Sequence, residues 1–66
     1  MSTTLIAKNK HQLDLCLRLV FNEDVSYTVI VSETDDAKRK IFFKIKLVGE
    51  ETTVTNLVER YRIMIS

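Results

Sequence analysis

A single cysteine, Cys16, in 66 residues leaves this chain without an internal disulfide or a cysteine-rich zinc site. A chain this short and this unstapled must be held by packing alone. There is room for one domain, residues 1–66, and for no second one. Glycine and proline are nearly missing as well, with one Gly and no Pro. Turns therefore have to use Asn and Asp, or types that most residues tolerate.

Hydrophobic residues are 45% of the chain and charged residues 29%, which places it among ordered globular domains. The net charge of +1 gives no global attraction to nucleic acid or membrane. No apolar run approaches the roughly 20 residues a membrane helix needs. The start, Met1 to Ile6, lacks the charged n-region and apolar core of a signal peptide, and Lys8 and Lys10 follow at once. The expected location is the cytoplasm.

The hydrophobic spacing sets the element order. Thr3 to Lys8 alternates as a short strand. Asn9 is placed to cap a helix, with Gln12 at the capping-box position. Leu13, Cys16, Leu17, Val20 and Phe21 then recur at helical spacing. Leu13, Leu15, Leu17, Leu19 and Phe21 also alternate, as in a strand. The cap and the strong helix propensity of Leu, Gln and Arg favour the helix. Asn22 is the expected left-handed terminator.

Val25 to Glu33 reads as a second strand, rich in β-branched residues. Thr34 to Ala37 is a hydrophilic turn, and Lys38 to Val48 a third strand forming a hairpin with the second. Gly49 to Glu51 breaks the run. Val54, Leu57, Val58 and Tyr61 predict a helix from about Thr52 to Arg60. The alternative is a hairpin return through Thr52 to Thr55. Tyr61 to Ile65 alternates again and predicts a terminal strand.

The order is β-α-β-β-α-β. That implies an α+β fold of the ferredoxin-like split βαβ type, an antiparallel sheet with two helices on one face. Many unrelated functions occupy this architecture, so function must be argued from a site. Under the helices one expects Leu5, Ala7, Val25, Tyr27, Val29, Val31, Ile41, Phe43, Ile45, Leu47, Ile63 and Ile65. In the strand order 4-1-3-2, the open face then carries a row of Met64, Ile6, Phe42 and Ile30. Lys40, Lys44, Lys46 and Arg62 form its charged rim. Apolar area with a polar rim marks interaction sites, although scattered exposed apolar residues are also ordinary.

Chemistry is sparse. Residues 23–36 hold five acids and no base, and residues 38–48 five bases and no acid. Cross-strand pairing is the plain explanation. A phosphate-binding stripe of Lys40, Lys44 and Lys46 with Phe42 as a stacking platform is the functional one. His11 and Cys16 are five residues apart on a helix and do not converge. Glu33, Asp35 and Asp36 lack calcium-loop spacing. Gly49 alone makes no phosphate loop. The expectation is therefore a non-enzymatic interaction module with no cofactor and no metal. It would act through the open face or an edge strand by forming a homodimer or by binding and inhibiting another protein. RNA or single-stranded nucleic acid, held by the basic third strand through Lys40, Phe42, Lys44 and Lys46, is the alternative partner.

Overall fold

The computed structural model describes residues 1–66. It contains β1 (Ser2–Ala7), α1 (Lys10–Val20), β2 (Ser26–Glu33), β3 (Ile41–Val48) and α2 (Glu51–Ile65). The class is α+β. The sheet order is β1-β3-β2, with both neighbouring pairs antiparallel. β1 and β2 consequently run parallel to each other on either side of β3.

The fourth strand does not form. Tyr61 to Ile65, expected as a strand, is the last part of α2, so the sheet has three strands rather than the four of the ferredoxin-like arrangement. The helical stripe explains this. Val54, Leu57, Val58, Tyr61 and Ile65 continue one face at i, i+3, i+4, i+7 and i+11, and no Gly or Pro follows Gly49 to end it. Five alternating residues do not compete with a helix already packed through Val54, Leu57 and Tyr61. Arg62 and Met64 therefore project from α2 and do not lie on the open sheet face.

α1 begins as its sequence directs. The Asn9 side chain accepts from the Gln12 backbone N–H at 2.9 Å. Gln12 Oε1 in turn accepts from the Lys8 N–H, one residue before the cap. Asn22 does not terminate the helix in a left-handed conformation. The one non-glycine residue with positive φ is Arg39, at 42°, in the β2–β3 turn. Asp36 organises that turn, its Oδ1 accepting from Thr34 Oγ1 and from the Lys38 and Arg39 N–H groups. Gly49 marks a close approach: a Cβ there would lie 2.7 Å from Val25 Cγ1.

Nine residues form the core: Leu5, Ala7, Cys16, Val20, Ile45, Leu47, Val54, Leu57 and Tyr61. None comes from β2. The helices cover β1 and β3, and α2 lies toward the free side of β1. The Tyr61 hydroxyl donates to the Ile6 carbonyl at 2.9 Å. Tyr27, Val29, Val31 and Ile41, expected beneath the helices, lie on the helix side of the sheet but remain exposed. Ile63 is exposed on α2. The chain is elongated in consequence, with a radius of gyration of 12.1 Å, against about 10.8 Å for a compact domain of this length.

Burial in the core pushes the Cys16 thiol up to about 11. Burial, with the neighbouring Cys16, also raises the Tyr61 phenol. Raised acids are neutral in the fold and ionise first in the unfolded chain, so stability falls as pH rises through this window. Urea midpoints should decline from about pH 8.5, the free thiol value, toward pH 11. The loss should be of order 2–3 kcal/mol, and Cys16→Ala should flatten much of the slope. A wild-type midpoint that is level across this range would contradict the burial.

Candidate functional site

The side of the sheet away from the helices carries Ser2, Thr4 and Ile6 from β1, Phe42, Lys44, Lys46 and Val48 from β3, and Ser26, Thr28, Ile30 and Ser32 from β2. The register places Ile6 opposite Lys44 and Lys44 opposite Ile30. The row is thus Ile6, Lys44, Ile30, with an ammonium between two isoleucines. Phe42 sits one rung further along, opposite Ser32 and half-buried. The Lys44 Nζ lies 5.8 Å from its ring centroid, within cation–π range. Ile6, Lys8, Lys40, Ile41 and Phe42 line a shallow depression of about 520 Å³ beside the hairpin turn.

Of the expected site residues, Ile6, Ile30, Phe42, Lys44 and Lys46 share this face, and Lys40 stands at its end. Met64 and Arg62 are elsewhere, because their segment is helical. No salt bridge neutralises the lysines of β3. The ion pairs are Arg18 with Asp14 at 3.2 Å and Arg60 with Glu23 at 4.0 Å. The acidic segment does not pair across the hairpin; Asp36 is spent on the turn, and Glu33 lies on the helix side opposite Ile41. His11 is exposed at the start of α1, Cys16 is fully buried, and no three His, Cys, Asp or Glu groups converge.

A second surface was not assigned by the sequence reading. On the helix side, the core stops at β3. β2 continues the sheet past it and leaves Tyr27 49%, Val29 37% and Val31 62% exposed. The periodicity identified the correct face of this strand but carried no information about how far the helices reach.

The hydrogen-bond parity of the sheet shows which backbone groups are free. Met1 and Gly49 exchange two bonds, N–H to carbonyl in each direction, at 2.9 and 3.0 Å. Antiparallel pairs alternate between bonded and non-bonded rungs. Leu47, Ile45 and Phe43 therefore bond toward β1. On the other side, the Thr34 N–H donates to the Lys40 carbonyl. Ser32, Ile30, Thr28 and Ser26 therefore bond toward β3. It follows that Tyr27, Val29, Val31 and Glu33 point their N–H and C=O groups outward. The same alternation turns Ser2, Thr4 and Ile6 outward on β1. There the Tyr61 hydroxyl occupies the Ile6 carbonyl, whereas nothing occupies the edge of β2.

Edge strands are ordinarily blunted by lysine, proline or a bulge. β2, SYTVIVSE, has none of these, and its single charge is Glu33 at the end. It is an eight-residue edge with a β-branched centre. This chain matches no family model, no curated protein and no solved structure.

The parity has a direct check. In dilute solution, the amides of Tyr27, Val29, Val31 and Glu33 should exchange with solvent at least about tenfold faster than those of Thr28, Ile30 and Ser32, the pattern expected when alternate groups lack a ladder bond. Two-dimensional NMR would read it. Uniform protection along β2 would refute the assignment.

Proposed function

We propose that this chain is a small non-enzymatic protein-interaction module that takes up a further β-strand along β2, from another copy or from a partner protein. The observation that carries this reading is the coincidence of two features on one strand. Tyr27, Val29 and Val31 have free backbone groups at the edge and exposed apolar side chains on the helix side. An added strand satisfies both at once. Its main chain supplies the hydrogen bonds, and its alternate side chains cover the apolar ones. The face carrying Ile6, Ile30, Phe42, Lys40, Lys44 and Lys46 becomes a flanking surface, whose lysines bias the choice of partner toward acidic sequences.

The nucleic-acid alternative has less behind it. Lys40, Lys44 and Lys46 are exposed, but Phe42 is the one aromatic residue on that face, and Lys44 already stands over its ring. Stacking readers of single strands present several free aromatic faces.

A phage-displayed library of extended peptides selected on the immobilised protein tests the reading. Enriched peptides should alternate β-branched residues and should bind Val29→Pro about tenfold or more weakly, each lost edge hydrogen bond contributing roughly 0.5–1.5 kcal/mol. Phe42→Glu should change their affinity little. Loss of binding on Phe42→Glu with none on Val29→Pro would move the site to the other face of the sheet. Failure to enrich any extended peptide on a chain that sediments as a monomer would remove strand addition altogether.

A further inference from the structure

Resting on the strand-addition reading, we infer that the occupant of the β2 edge is β2 of a second copy, antiparallel, with Ile30 on the twofold axis. The outcome is one six-stranded sheet across two chains. Four observations lead there.

The first is parity. Only Tyr27, Val29, Val31 and Glu33 direct backbone groups outward, so an antiparallel partner must pair odd residues with odd. Two centres lie within reach of the middle of the strand, Val29 and Ile30.

The second is charge. With Val29 on the axis, Glu33 faces Val25 of the other copy, beside Glu23 and Asp24. Like charges brought together across strands destabilise the pair. With Ile30 on the axis, Glu33 faces Tyr27 instead, and Val29 faces Val31 twice over. The exposed valines then cover one another on the helix side. On the opposite side, Ile30 meets its own copy in a non-bonded rung, where side chains approach most closely.

The third is the placement of the lysines. Lys44 lies opposite Ile30. Across the axis, the two Lys44 residues are three strand spacings apart, about 14 Å. That exceeds the screening length of about 8 Å at physiological salt. The basic strands therefore do not oppose association, and Glu33 is the one charge on β2 itself.

The fourth is area. The chain exposes 4947 Å², against about 4,300 Å² for a folded monomer of its mass. The surplus, roughly 600 Å², approaches the 800 Å² or so that each partner contributes to a standard interface. At the other edge, α2 packs against β1 and Tyr61 holds the Ile6 carbonyl, so β1 offers a shorter free edge than β2.

Single-cysteine crosslinking tests both the partner and the register. Cys16 is fully buried with its thiol raised to about 11, so it stays silent under mild oxidation. Ile30→Cys places two thiols on a non-bonded rung whose Cα separation, about 4.5 Å, suits a disulfide. With diamide as the oxidant, most of this variant should become covalent dimer, and neither Val29→Cys nor Val31→Cys should. Sedimentation of the unmodified chain should show a concentration-dependent monomer–dimer equilibrium. Val29→Pro should weaken it about tenfold or more, because the outward N–H it removes is lost in both copies. Val31→Lys, which leaves every backbone group in place, should do the same if the proline variant does not fold. A wild-type chain monomeric at every concentration overturns the inference. Crosslinking of Val29→Cys in place of Ile30→Cys overturns the register. Peptides that bind the β2 edge of a strictly monomeric chain would leave the strand-addition reading standing and this one refuted.

Discussion

The position of Tyr61 decides the asymmetry of this molecule. Its ring is buried in the core, and its hydroxyl reaches the Ile6 carbonyl on the free side of β1. To make that bond, α2 must lie toward the β1 side of the sheet. Once it lies there, α1 and α2 bury Leu5, Ala7, Ile45 and Leu47, and nothing remains to bury Tyr27, Val29 and Val31. One placement thus occupies part of one edge of the sheet and leaves the other wholly open. The two edges also differ in chemistry: β1 ends against a helix, and β2 ends against solvent with a β-branched face whose one charge is the terminal Glu33.

Much of the fold was legible in the sequence because local rules agreed with each other. Asn9 and Gln12 announced α1, and the hairpin strands alternated as half-buried strands do. The terminal segment was not legible. Tyr61, Ile63 and Ile65 alternate, but Tyr61 and Ile65 also extend the stripe of Val54, Leu57 and Val58. The helix wins because its stripe is already anchored in the core. The positive φ falls on Arg39 rather than on an Asn or Asp, in a turn whose Lys38 and Arg39 N–H groups are both held by Asp36 Oδ1. Such a bias comes from the surrounding network and has no signature in residue type.

The candidate site was legible in part. Ile6, Ile30, Phe42, Lys44 and Lys46 do share a face, since strand parity alone brings them there. Their arrangement depends on register, which places Lys44 and not Phe42 between the isoleucines. The exposed helix-side surface of β2 could not be read from period. Tyr27, Val29 and Val31 have the pattern of core residues, and only the reach of the helices distinguishes a covered strand from an overhanging one.

The Asp36 turn has a consequence for the order in which this chain assembles. β2 and β3 are joined by seven residues, with Asp36 prepared to hold the Thr34 to Arg39 segment in place. β1 must find β3 from about forty positions away, and Tyr61 must find Ile6 across 55. Loop closure therefore favours the hairpin first and the β1 side last. The strand that remains open at the end is thus present from the beginning. On a nascent or refolding chain, the β2 edge is available before the core that will leave it exposed has formed.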